Sequence, residues 1–319
     1  MSDPRTIVIA LGGNAITQPG EEGNIYQQFA NTRLSIRSIM AVLEAGHRVL
    51  ITHGNGPQVG NELIRVEHSG KIVPDLPLGV LVADTEGGMG YMIEQCLYNI
   101  MHDRGVTREV ACLVTQTVVD KNDPSLENPS KFIGPFYKES EVETLTTERG
   151  WILKKDADRG WRRVVPSPAP KRILASGVIR RLLDEGVVVI AGGGGGIPVY
   201  RENNGWLEGI DAVVDKDLTS AVLGNEIAAE ELLILTGVDQ VALFYGTPQQ
   251  RFLDRLTVSE ARAYLDAGHF PPGSMGPKIR AALQFLDGGG RRVVITSIEQ
   301  AAEAVLGKAG TEILPDSEK

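Results

Sequence analysis

Short, continuously apolar runs alternate along this chain with longer stretches of helical spacing. Residues 6–11, 48–52, 109–116, 187–191, 232–235, 240–244 and 292–296 are rich in valine, isoleucine and leucine and carry few polar interruptions. Runs of that length and composition predict strands buried on both faces. Between them, residues 27–45 place Phe29, Leu34, Ile36, Ile39, Met40 and Leu43 on helical spacing and stop at Gly46. Helices are likewise predicted over 58–66, 78–101, 171–185, 218–229, 258–267 and 298–306. Strands alternating with helices of this length predict an α/β fold, a three-layer αβα sandwich around a mostly parallel sheet. The long helix carries small residues at Gly87, Gly88 and Gly90, which suits close packing against a neighbour, a second subunit included. No internal repeat is present.

The rhythm breaks between residues 120 and 170. Residues 122–137 are rich in proline, asparagine and serine, and 151–155 and 161–165 have the pattern of a hairpin across 156–160. A connection this long inside a compact sheet protein is usually a lid or protruding subdomain. Its Lys131, Lys154, Lys155, Arg159, Arg162 and Arg163 suit a cover over phosphates; a merely solvated basic loop is the competing reading.

Candidate chemistry gathers where strands end. The run 6–11 leads into Gly12-Gly13-Asn14-Ala15, and 48–52 into His53-Gly54-Asn55-Gly56-Pro57. Two Gly-Asn elements at strand ends predict one pocket in the crevice where open α/β sheets bind ligands. His53 reads as a packed or positioning residue, since nothing beside it resembles a triad or a metal pair. The run 187–191 passes into five glycines at 192–196, of which Gly193, Gly194 and Gly195 are candidates for close approach to phosphate. Asp211 and the cluster Asp215-Lys216-Asp217 follow, at a predicted helix start where an anion gains from the helix dipole. Further on, Met275 and Gly276 precede Pro277 and Lys278, so a lysine occupies another helix N-terminus. A cation there opposes the dipole unless an anion lies between them. Tyr245, in a loop, is either a flank for an adenine base or an exposed tyrosine.

Composition narrows the classes. With 319 residues, 42% of them hydrophobic, the chain can bury a large core; its formal net charge of −9 argues against nucleic-acid or anionic-membrane surfaces. Cys96 and Cys112, each in an apolar element, read as buried thiols of a reducing compartment. With no leader-like pattern and no apolar stretch of about 18 residues, the expected location is the cytoplasm. The chain lacks Gly-x4-Gly-Lys-Ser/Thr, a dinucleotide fingerprint after the first strand, zinc-ligand spacing and a Gly-x-Ser-x-Gly elbow. P-loop NTPases are thereby excluded, and a nicotinamide or flavin oxidoreductase becomes a minor alternative.

The motifs Ala10 through Ala15, His53 through Gln58, Ile133-Gly134-Pro135-Phe136-Tyr137, Gly160 through Pro168, Ala191 through Pro198, Asp215-Lys216-Asp217 and Pro272 through Lys278 occur in the order found in carbamate kinases. Over nearly its whole length the chain resembles that branch of the amino acid kinase family. The resemblance implies a single kinase domain over 1–319, with a protruding subdomain at 121–168, an acceptor half at 1–185 and a nucleotide half at 186–319. It further implies a homodimer that transfers a phosphoryl group between MgATP and carbamate, giving ADP and carbamoyl phosphate. In that reading Lys131, Lys216 and Lys278 surround the phosphoryl, Asp215 and Asp217 orient lysines, and Gly12, Gly13, Asn14, Gly54 and Asn55 receive the acceptor. Nucleotide contacts fall to Gly193, Gly194, Gly195, Asp211, Tyr245, Met275 and Gly276, and no protein residue is assigned to the magnesium ion. Phe132 departs from the family pattern, in which proline often follows the subdomain lysine. The alternatives are another member of the family acting on a small carboxylate, and a silent nucleotide-binding module on the same fold.

Overall fold

A computed structural model describes residues 4–18, 20–70, 72–156 and 160–316, the side chain of Asn14 excepted. Every residue of the strand Thr6–Leu11 is buried, as its unbroken apolar run requires. It lies inside an eight-stranded sheet of order Arg255–Thr257, Thr311–Leu314, Arg292–Ser297, Glu231–Thr236, Thr6–Leu11, Arg48–His53, Val188–Ile190, Val110–Cys112. Among the described strands of this sheet the pairings are parallel, apart from Arg292–Ser297 with Thr311–Leu314.

Alternation along Thr6–Leu11 builds the layers. Val8 and Ala10 enter one core with Ala221, Leu223, Ile279 and Phe285 from the helices Lys216–Glu226 and Met275–Asp287. Ile7, Ile9 and Leu11 enter the other, with Ile36, Ile39, Met89 and Ile93 from Ile25–Glu44 and Leu78–Arg104. Helices therefore cover both faces, as the sequence predicts. Because Thr6–Leu11 pairs with Arg48–His53 on one side and Glu231–Thr236 on the other, the order of connection reverses beside it. The crevice beyond Leu11 is thus a topological switch point.

Several boundaries differ from expectation. The run 109–116 is two strands, Val110–Cys112 in the main sheet and Gln116–Val118 in a second one. The Thr115 N–H leaves the ladder to bond the Glu86 carboxylate, which turns the chain between them. That second sheet also contains Arg172–Ile173, cut from the predicted helix at 171–185, and the hairpin Ile197–Arg201 with Leu207–Gly209. Strands Arg251–Leu253, Arg255–Thr257 and Thr311–Leu314 escaped prediction because each is three or four residues long and carries a charged or polar side chain. Of the small residues on the long helix, Gly90 packs inward, its Cα hydrogen replacing a Cβ that would meet Cys112 Sγ at 2.1 Å.

Within residues 121–168, Leu153–Lys155 pairs antiparallel with Trp161–Val165, as the hairpin pattern predicts; Arg159 and the tip at 157–159 lie outside the described residues. A third strand, Lys131–Tyr137, joins the other edge of Trp161–Val165. Its Ile133 is buried with Val59, Leu63, Leu81 and Val82 of the body.

Candidate active site

Asp215 ends an extended segment and caps the helix Lys216–Glu226, its Oδ1 accepting the Asp217 and Leu218 N–H groups at 3.0 and 3.3 Å. Its other oxygen accepts a hydrogen bond from Lys131 Nζ, at the start of the strand Lys131–Tyr137, at 2.6 Å. In the first turn, Lys216 Nζ donates to Asp217 Oδ1 at 2.5 Å, and Lys278 Nζ, from the start of the helix Met275–Asp287, donates to Oδ2 at 2.8 Å. Three ammonium groups from three separate elements are therefore linked through two carboxylates of one helical turn.

Burial and charge compete at each of these groups. Burial opposes ionisation of Asp217, but Lys216 and Lys278 outweigh it and hold the carboxyl far below the ordinary range. Asp215 is likewise held low, burial being overcome by Lys131. Desolvation draws the Lys216 ammonium below its usual value despite Asp217, whereas at Lys278 Asp217 outweighs burial and raises it. The cluster is consequently a set of fixed charges, of which Lys216 and Asp217 are the most deeply buried and worth more than at the surface.

All three lysines and both aspartates line one open cavity of about 900 Å³, together with Gly12, Gly13, Gly54, Asn55 and Gly194. Two glycines permit this convergence. A Cβ on Gly12 would lie 2.6 Å from the Leu235 carbonyl oxygen, so a side chain there would force apart the two strand ends at the switch point. Gly194, at φ +64°, touches the Asn55 side chain, whose amide nitrogen would be 2.2 Å from a Cβ.

Not every candidate residue faces that space. The N–H groups of Gly192, Gly193, Gly195 and Gly196 are engaged internally, by Thr115 Oγ1, Glu86 Oε1 and the Gly192 and Gly193 carbonyls. Gly193 and Gly195 do not line the cavity. The Asp211 carboxylate accepts the Leu78 N–H at 2.9 Å, at the start of the long helix, and lies off the lining. Tyr245 is exposed, and Met275 and Gly276 open the helix that carries Lys278 without lining the cavity. The Asn14 side chain lies outside the described residues.

Sequence reasoning missed the layer beneath. Glu86, in an apolar helix, is buried and accepts the Thr115 N–H at 3.0 Å and the Gly193 N–H at 3.0 Å. Burial pushes its carboxyl up to about 8 against those hydrogen bonds. Its signal was a glutamate on the same helical face as Val82, Met89 and Ile93. His53 is buried, with Nδ1 3.3 Å from the Gly54 carbonyl oxygen; burial lowers its pKa to about 4, so the ring is neutral. It does not line the cavity.

The described residues do not make a cage for a divalent ion, since no three His, Cys, Asp or Glu side chains converge, and Asp215 and Asp217 are occupied by lysines.

Comparison with known proteins agrees with this architecture. The model of the amino acid kinase family matches residues 5–297. A carbamate kinase of Pyrococcus horikoshii is 46% identical over 314 residues, 98% of this chain and 100% of the relative. Carbamate kinase from Giardia lamblia bound to citric acid superposes with a TM-score of 0.94 at 41% identity, covering 99% of this chain and 100% of that one. The same Giardia enzyme bound to AMP-PNP gives 0.90 at 42% identity, covering 99% and 100%. The chain belongs to the amino acid kinase family, and within it groups with the carbamate kinases.

Proposed function

We propose that this protein catalyses reversible phosphoryl transfer between ATP and carbamate, and that Lys131, Lys216 and Lys278 do so by enclosing the migrating phosphoryl group. The observation that carries this reading is the convergence of the three ammonium groups, ordered by Asp215 and Asp217, in one cavity with the glycine-lined strand ends. Phosphoryl transfer spreads negative charge over equatorial oxygens and leaves little covalent work to the protein, so positioned cations are the principal requirement.

A carbamate oxygen is already anionic, so its attack on the γ-phosphoryl requires no proton abstraction. A neutral His53 buried away from the cavity is consistent with that economy. Gly12, Gly13, Asn14, Gly54 and Asn55 leave room for an acceptor without a side chain, although the Gly54 N–H is held by the Leu11 carbonyl and Asn55 Nδ2 donates to Thr85 Oγ1; residues 1–185 form the acceptor half. Nucleotide binding falls to residues 186–319, with Gly194 nearest the phosphates and Gly193, Gly195, Asp211, Tyr245, Met275 and Gly276 shaping the surroundings. With no protein cage among the described residues, magnesium would come with the nucleotide and would supply charge neutralisation at the phosphates. Because carbamoyl phosphate is a mixed anhydride, the favoured direction is ATP formation, in the cytoplasm.

We further infer a homodimer. Val80, Tyr91 and Tyr98 are exposed along one side of the helix Leu78–Arg104, which suits a self-complementary face. Among the described residues no helix is long and apolar enough to cross a membrane.

A coupled assay of ATP formation from ADP and carbamoyl phosphate, run beside ATP with acetylglutamate or aspartate, tests the assignment. Turnover with carbamoyl phosphate is expected. ADP binding without turnover would instead identify a silent module, and activity only with the amino acids a different acceptor.

A further inference from the structure

Lys131 reaches the phosphoryl cluster from the lid, so its position depends on whatever holds the lid in place. The lid is fastened by more than its chain ends. Gly60, on the helix Gly56–Ser69, meets Gly134 of the lid strand backbone to backbone: a Cβ at Gly60 would lie 2.0 Å from the Gly134 nitrogen. Ile133 beside it is fully buried against Val59 and Leu63 of the same helix. Farther along this helix, Glu67 gathers the other end of the lid. Its Oε1 accepts hydrogen bonds from Trp151 Nε1 at 3.0 Å and from Arg163 Nη1 at 2.5 Å, while Oε2 lies 3.6 Å from Arg149 Nη1. Trp151 is buried, with the Arg163 and Arg149 guanidinium carbons 4.6 and 5.2 Å from its ring centroid.

The segment also meets the other half of the molecule, where Val213 shares the apolar cluster of Ile133 and Val165 and its N–H donates to the Pro166 carbonyl at 3.0 Å. Lys131 Nζ bonds Asp215 through a single ion pair that is partly exposed. A partly exposed ion pair holds weakly, so the backbone contact at Gly60 and the threefold clasp at Glu67 help to fix where Lys131 sits. The helix Gly56–Ser69 itself begins directly after Asn55, on the acceptor side of the cavity.

We propose that Glu67 is a positioning residue for the transfer, which clasps the lid to the helix Gly56–Ser69 so that Lys131 and the Asn55-Gly56 loop move as one body. The proposal rests on the assignment of Lys131 to the transferred phosphoryl group. Loss of the clasp frees Lys131 to sample positions off the reacting atoms, and displacements of that scale cost catalysis more than binding.

The test uses the full chain carrying Trp161→Phe and Trp206→Phe, so that Trp151 is the sole tryptophan, in four forms: unaltered, Glu67→Ala, Lys131→Ala and the double variant. Glu67→Ala is expected to shift Trp151 emission to the red, to open it to acrylamide quenching and to lower kcat on the order of tenfold, with KM for ADP little changed. Glu67→Gln, which keeps one acceptor, should recover part of both losses. In the Lys131→Ala background the removal of Glu67 should cost nothing further, because it acts through that lysine. The proposal is overturned if Glu67→Ala keeps full kcat while Lys131→Ala is impaired, or if the two losses simply add. Full activity of Lys131→Ala alone would instead overturn the assignment of Lys131, and the positioning role with it.

Discussion

Lys278 crosses from the start of its own helix to the carboxylate of Asp217, 2.8 Å away, where Lys216 already holds the other oxygen. Two ammonium groups thus stand side by side with one buried counter-charge between them. Replacing Asp217 by Asn removes that charge while keeping the shape. The two cations then repel across a desolvated gap, and kcat is expected to fall about a hundredfold. Breaking a buried ion pair from one side also destabilises by about 3–5 kcal/mol, so urea unfolding should register the same change. Because burial already lowers the Lys216 pKa and Asp217 opposes that fall, the variant should lose activity at a lower pH than the parent does.

Gly194 and Asn55 form a second close relationship. A methyl at residue 194 has no room beside the Asn55 amide and would sit on a backbone at φ +64°. Gly194→Ala is therefore expected to raise the KM for carbamoyl phosphate, to lower kcat and to reduce stability by about 1–3 kcal/mol. Steady-state kinetics and thermal unfolding of this variant check the point.

Glu86 gives stability a pH dependence whose sign can be stated. Its folded value is pushed up to about 8 by burial, against an ordinary 4.5 in the unfolded chain. The stability it contributes is present in full below pH 4.5 and is lost as pH rises through 8. His53, lowered from 6.5 to about 4, works in the opposite sense below pH 6.5, and the Cys112 thiol is raised by burial to about 11. From pH 6.5 to 8 Glu86 therefore lowers the unfolding free energy of the parent, and the fall should be smaller in Glu86→Gln. Denaturant titrations at several pH values measure this.

For the dimer, Tyr91→Glu places a charge on the exposed side of the helix Leu78–Arg104. Sedimentation velocity should find a dimer for the parent and a monomer for the variant, with the fold retained.

The sequence made the central strands legible, because strands buried on both faces read as unbroken apolar runs, and Thr6–Leu11 is the clearest of these. It also brought Lys131, Lys216 and Lys278 into view, two through helix-start patterns and one through the lid. Hidden from it were features set by distant contacts. The break at Thr115 follows from a hydrogen bond to Glu86, and the short strands Arg255–Thr257 and Thr311–Leu314 are held by pairing with each other and, for the latter, with Arg292–Ser297. Internal use of the N–H groups around Gly193 was equally unreadable, since nothing local ties a glycine to a glutamate on another helix.

The central claim is that the three ammonium groups stabilise one phosphoryl group in flight. The most direct measurement is kcat for ATP formation from ADP and carbamoyl phosphate by Lys216→Ala, with a circular dichroism spectrum matching that of the parent. A fall on the order of a hundredfold or more is expected, whereas turnover at the parent's rate would contradict the account.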